Sequence, residues 1–219
     1  MSTTTRCEAI PASFTGTWRR RSIAFDGGEP HEPATVVWVQ SSSDYADLRV
    51  PVDGAGDPPK SFAGRVRWDG RCLRWNREID LDDLQGAEIV GRVWFEDGLL
   101  LEAGTFQLPG GPGAYVAVWE RQPGSDGTRL ALRREDGRGR LVRAGDHALT
   151  IIDQRPLGGA YRACYRVRTD DGWTIAASLG PDAEQLPEPP ALHALDVGRV
   201  TIDAKRWLVV EASEATEAA

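Results

Sequence analysis

Lysine is almost missing from this chain. Only Lys60 and Lys205 occur among 26 basic residues, so 24 are arginine. The skew points to a GC-rich bacterial genome, with selection for planar bidentate pairing as the alternative. Cysteine is also scarce. Cys7, Cys72 and Cys164 are far apart and odd in number, which excludes a disulfide framework and a Cys-rich zinc site. A nucleophilic thiol needs a base close by, yet His31, His147 and His193 are scattered and no two have metal-ligand spacing. No apolar run approaches the roughly 18 residues of a membrane-spanning helix. The leading Met-Ser-Thr-Thr-Thr-Arg has no apolar core, so no secretory signal is expected and the cytoplasm is the expected compartment. A surplus of positive charge is absent as well: the formal net charge is −7. Neither a nucleic acid nor a membrane is therefore expected as a partner. Phosphate-cradling loops, a dinucleotide fingerprint and a Gly-x-Ser-x-Gly elbow are not found, and no cofactor is expected.

What the chain has is glycine, proline and tryptophan. In 219 residues there are 24 Gly, 14 Pro and 8 Trp. The Gly and Pro punctuate short stretches rich in Val, Ile, Leu and Trp, the spacing of an all-β sandwich or barrel. Four hairpins read directly. They join 65–68 to 71–80 through Asp69-Gly70, and 89–95 to 99–104 through Glu96-Asp97-Gly98. The other two join 129–134 to 140–143 through Glu135-Asp136-Gly137, and 161–169 to 173–179 through Asp170-Asp171-Gly172. Further strands are expected at 16–25, 35–40, 46–50, 114–121, 148–153, 199–202 and 206–211. The segment 122–128 divides a first half of about seven strands from a second of about six. The expected organisation is a flexible N-terminus over 1–13, a barrel half over 14–121 and a second β-rich half over 122–211 packed on the first. A disordered tail over 212–219 follows, and 181–190 is read as an ordered crossing.

Strand side chains alternate between two faces, and the alternation nominates functional residues. On 72–80 one face carries Leu73, Trp75, Arg77 and Ile79. It is read as the interior face, which makes Arg77 a buried guanidinium in need of a carboxylate. Glu102 is the nominated partner. On 44–51, Tyr45, Asp47 and Arg49 share a face that is either solvated or the polar wall of a cavity. Trp18 is read as a barrel-floor tryptophan, with one of Arg19, Arg20 and Arg21 crossing an end of the barrel. On 161–169, Arg162, Cys164, Arg166 and Arg168 form the face expected to meet solvent. The tryptophans are core fillers first, but one or two facing a cavity make an aromatic ligand site.

These residues resemble a family. Gly16-Thr17-Trp18 is similar to the Gly-x-Trp entry of the lipocalin and calycin superfamily. Trp38-x-Gln40, Tyr45-Ala46-Asp47-Leu48-Arg49-Val50-Pro51, Phe62-Ala63-Gly64 and Trp75-x-Arg77-x-Ile79-Asp80 follow in order. Together they resemble bacterial relatives of the yeast Hri1 family, over 16–121. The resemblance implies a lipocalin-like antiparallel β-barrel, two packed calycin-like halves and an internal cavity, but no reaction. It also implies an acid between the Tyr and Trp of the last first-half strand. Here Tyr115-Val116-Ala117-Val118-Trp119 holds none, so that role is either lost or moved, with Glu102 and Glu120 as the candidates.

Three functions stay open. The first is binding of a small, partly apolar or aromatic molecule in a Trp-lined cavity, with Arg49, Arg77, Trp38, Trp75, Trp119 and Tyr115 as contacts. The second is a cofactor-independent isomerase, cyclase or lyase of bacterial secondary metabolism, with Asp47, Glu102 and Tyr45 as acid–base groups. The third is an interaction protein using an exposed edge or an arginine-rich face. Sequence does not decide among them, since sites and not folds carry function.

Overall fold

A computed structural model describes residues 9–52, 57–108, 111–195 and 198–214. The chain is all-β. Eight antiparallel strands close into a barrel in simple meander order: β1 (Gly16–Phe25), β2 (Ala34–Gln40), β3 (Asp44–Pro51), β4 (Lys60–Trp68), β5 (Cys72–Asp80), β6 (Glu88–Glu96), β7 (Leu99–Leu108) and β8 (Gly111–Arg121). Seven more form an open sheet: β9 (Arg129–Arg134), β10 (Gly139–Ala144), β11 (His147–Asp153), β12 (Tyr161–Thr169), β13 (Gly172–Leu179), β14 (Arg199–Ile202) and β15 (Lys205–Ser213). Their spatial order is β13-β12-β11-β10-β9-β15-β14. The counts are eight and seven, as many as the individual stretches read from the sequence and one more in each half than the rounded seven and six.

Local chemistry sets the turns. Asp97 and Gly98 join β6 to β7 with φ of 50° and 78°, the left-handed pair that suits strand twist. Between β4 and β5 the tight loop is Gly70-Arg71, one residue later than expected. The reason is that Asp69 Oδ1 accepts from the backbone N–H of Arg71 and Cys72, at 3.1 and 2.8 Å, and draws Asp69 into the turn's first corner.

The barrel closes through β1 and β8, paired from Trp18↔Arg121 to Phe25↔Tyr115 with an irregularity between Arg20 and Ser22. One end of the bore is plugged. A 3-10 turn at Ala12–Phe14 enters it, and Ile10 and Phe14 join the barrel core. Within the segment read as a flexible N-terminus, Ile10 is thus buried, because it and Phe14 cover apolar surface that the strands leave open. At the other end of the chain Ala212 and Ser213 belong to β15 and pair with Leu130 and Arg129. The expected disorder does not begin at 212; residues 215–219 lie outside the described residues, as does Cys7.

The open sheet packs on the outside of the barrel. Val37, Val39, Ala46, Leu48, Ala63 and Ile79 from the barrel meet Val142, Ala144, Leu149, Ile151, Tyr161, Ala163 and Tyr165 from the sheet. Each large aliphatic side chain buried here contributes about 2 kcal/mol, so packing supplies most of the adhesion. Two corrections follow. Ile79 points out toward the sheet, not into the barrel, because a bulge between Ala63 and Gly64 resets the alternation on β5. Gly64 is required there: a Cβ would lie 1.9 Å from the Asn76 carbonyl oxygen. The second concerns the face of β12 that was expected to meet solvent. Cys164 and Arg166 are buried, since Leu186, Leu192 and Leu195 fold over that side with Trp207. Arg166 donates to the carbonyls of Glu184 and Leu186, both at 2.7 Å.

Polar contacts fix the register of the two layers. Arg133 makes a bidentate pair with Asp44, both bonds at 2.7 Å. Asp44 is fully buried, and Arg140 approaches it at 3.4 Å while also pairing with Glu78. Tyr161 Oη donates to the Ser61 carbonyl at 2.8 Å. Removing one partner of such a pair strands the other charge. Asp44→Ala should therefore lower unfolding free energy by about 3 kcal/mol or more in urea titrations. A loss below about 0.5 kcal/mol, the scale of an exposed pair, would mean that Arg133 and Arg140 are solvated there.

Candidate functional site

The inward side chains of the barrel form three layers. The floor holds Phe14 stacked on Phe95 at 5.5 Å and tilted against Trp68 at 5.2 Å. The Phe14 carbonyl accepts from Trp18 Nε1 at 3.1 Å and from Gln40 Nε2 at 3.3 Å. The guanidinium that covers Trp18, 5.3 Å from its ring, belongs to Arg121 on β8. Arg20 instead turns into the bore, 6.0 Å from the Trp119 ring, and pairs with Glu32 at 2.7 Å.

The middle layer is aromatic. Trp38 meets Trp75 and Trp119 edge-on, each at 5.4 Å between ring centroids. All three are buried. Trp75 Nε1 donates to Gln40 Oε1 at 3.1 Å, linking this layer to the floor.

The upper layer is polar. Glu102 on β7 lies opposite Ala117 on β8. Its carboxyl accepts from Tyr115 Oη at 2.5 Å and from Trp119 Nε1 at 2.9 Å. Glu102 thus places a carboxyl between Tyr115 and Trp119 from the neighbouring strand, over the small side chain of Ala117. Burial pushes the Glu102 carboxyl above the usual carboxylate range, against the hydrogen bonds from Tyr115 and Trp119 and the charge of Arg49. Glu120, the other nominee, is exposed.

Asp47 and Arg49 pair at 2.7 Å, Asp47 buried and Arg49 retaining 26% side-chain exposure. Burial works against the Arg49 charge, but Asp47 outweighs it and raises the guanidinium above its ordinary value. Phe62 lies between two cations: the Arg49 guanidinium is 5.0 Å from its ring and that of Arg77 is 4.0 Å away. Arg77 faces the bore as expected, but its partner is Asp80 at 2.7 Å and not Glu102. The bulge that sends Ile79 outward brings Asp80 in, opposite Phe62. Tyr45 is fully buried and its phenol is pushed up by desolvation, with Arg77, Asp47, Asp80 and Arg49 as charged neighbours.

All nine nominated residues therefore face the interior of one barrel. Trp38, Trp75 and Trp119 build its middle, and Tyr45, Asp47, Arg49, Arg77, Glu102 and Tyr115 its upper part. Sequence reasoning missed Asp80, Glu32 and Phe62. Asp80 falls on the wrong face by simple alternation, and Glu32 sits in a loop where no periodicity applies. In the second half, His147 is held by Tyr165 Oη and the Pro123 carbonyl, both at 2.7 Å. Tyr161 and Tyr165 pack between the layers and do not reach the bore.

The fold class is thus a closed eight-stranded antiparallel barrel with a second sheet laid on its side. Among solved structures it is similar to the crystal structure of the uncharacterized, Hri1-like protein YLR301w from Saccharomyces cerevisiae. The TM-score is 0.74 with 17% identity, covering 90% of this chain and 98% of that one. At that identity the likeness is one of fold. No protein-family model and no curated protein sequence matches the chain.

The elevated Glu102 pKa has a consequence for stability. A carboxyl kept protonated by the fold stabilises it fully below the ordinary value of 4.5. That contribution is lost as pH rises through the elevated value. Glu102→Gln, which cannot ionise, should gain stability relative to wild type as pH is raised from 4.5, measured by urea unfolding across a pH series. A difference that does not change with pH would show that Glu102 ionises normally.

Proposed function

We propose that the chain is a calycin-like binding protein whose barrel bore takes a small, partly apolar molecule. The single observation that carries this reading is the layering of the bore. A Trp38–Trp75–Trp119 layer is capped by ionisable and hydrogen-bonding side chains rather than by more apolar ones. A barrel that needed only stability would gain nothing from them, since each buried charge costs desolvation that its partner only offsets. An aromatic body with convergent polar groups is the composition of a ligand site. Arg49, partly exposed near the end of β3, stands where a molecule would enter. The motif resemblance and the shared fold with YLR301w support the calycin-like description. The expected setting is the bacterial cytoplasm.

A second reading is favoured by one particular group. Glu102, whose carboxyl burial raises above its ordinary value beside Tyr115 and the Arg49 charge, is placed as a candidate general acid. In that reading the same bore performs a cofactor-independent isomerisation, cyclisation or elimination. Asp47 and Tyr45 then stand across the bore as partners in proton transfer.

Native mass spectrometry of the purified protein, followed by denaturation and extraction, tests the binding reading. A recovered small molecule, retained by wild type and lost when Trp38 is replaced by alanine, is the expected result. Its class then supplies substrates for the second reading: Glu102→Gln should keep binding but abolish turnover. An unliganded protein that also fails to take up any aromatic probe would overturn both readings.

A further inference from the structure

Resting on the bore as the binding site, we infer that the ligand is electrically neutral and carries a carbonyl-type acceptor: a ketone, ester, lactone or quinone on an apolar body. Two independent features of the bore lead there.

The first is a surplus of donors. Among the described residues, eight buried side-chain atoms lack a hydrogen-bond partner, and three of them, Tyr45 Oη, Trp38 Nε1 and Arg77 Nε, belong to side chains of the barrel interior. Tyr45 is 1% exposed and Trp38 3%. Indole N–H and guanidinium N–H donate only, and a protonated phenol can donate as well. A buried donor left unmade costs more than the average bond contributes. A group that satisfies any of these donors is an acceptor, and a carbonyl oxygen is the simplest one.

The second is charge balance. Arg49 is neutralised by Asp47, Arg77 by Asp80 and Arg20 by Glu32. Glu102 is biased toward its neutral form by burial. No cation of this layer is left over to receive an anionic head, so a carboxylate entering it would be a buried charge without a partner. The loops at this end of the barrel add to the discrimination. Asp26, Glu29, Asp57, Asp82 and Asp83 are exposed there, against Lys60 and the Arg155 that pairs with Asp83. Their field repels an approaching anion. Phe25, Val52 and Leu84, exposed on the same rim, suit an apolar body.

The test uses three matched probes: 4-methylacetophenone (neutral, with a carbonyl), 4-methylbenzoate (anionic) and 4-ethyltoluene (no acceptor). Dissociation constants are measured at neutral pH by ligand-observed NMR, on wild type and on Tyr45→Phe. The ketone should bind at least about tenfold more tightly than the benzoate, which leaves its charge unpaired in the bore. It should also bind roughly five- to tenfold more tightly than the hydrocarbon, the worth of one or two hydrogen bonds. Tyr45→Phe should remove most of that second preference without changing hydrocarbon binding. Because the Tyr45 hydroxyl has no partner in the fold, the variant should be at least as stable as wild type, so a change in affinity is not unfolding. Benzoate binding as tightly as the ketone would overturn the neutral class. Equal ketone and hydrocarbon affinities would overturn the role of the donors. Failure of all three probes to bind would overturn the bore itself as a binding site, a different failure from the other two.

Discussion

The ladder between β1 and β8 governs the rest of the molecule. Once those strands pair, the first sheet has no edges and every second side chain of eight strands faces a common interior. In an open sheet Tyr45, Asp47, Arg49 and Glu102 would be an ordinary polar face in water. Closure desolvates them and obliges each to find a partner among the others. Asp47 with Arg49, Arg77 with Asp80, Arg20 with Glu32 and Glu102 with Tyr115 and Trp119 are the outcome. The chemistry of the bore is thus a product of topology acting on a few strand positions.

The second sheet depends on the same closure in the opposite sense. The outward faces of β2, β3 and β4 carry Val37, Val39, Ala46, Leu48 and Ala63, which a free barrel would leave in water. The sheet covers them on one face and is itself covered on the other by Leu186, Leu192, Leu195 and Trp207. Asp44, at the start of β3, ties the layers together. Its strand therefore contributes inward to the bore and outward to the interface, with neighbouring residues committed to different partners.

Much of this was legible in the sequence where a local rule operates. Asp-Gly turns marked the hairpins, and alternation put Tyr45, Asp47 and Arg49 on one face and Leu73, Trp75 and Arg77 on another. It failed where the backbone departs from the rule or where partners are distant. The bulge opposite Gly64 exchanged Ile79 for Asp80, and with it the partner of Arg77. Arg166 and Cys164 read as solvent-facing because the segment that buries them arrives some twenty residues later. The plug at Ala12–Phe14 is too short to show a period at all. Glu102 was found because an acid in an apolar strand is conspicuous, but its bonds to Tyr115 and Trp119 depend on cross-strand register.

The scarcity of lysine acquires a practical meaning once the strands are placed. Lys60 is exposed at the start of β4, on the rim of the barrel, and Lys205 is exposed at the start of β15. These are the side-chain amines of the whole sequence. Arginine carries the buried ion pairs and is inert to amine-directed reagents. Through side-chain amines, a dye or crosslinker therefore reports on two separate places, one in each half, and leaves the charge pairs that hold the molecule together unmodified.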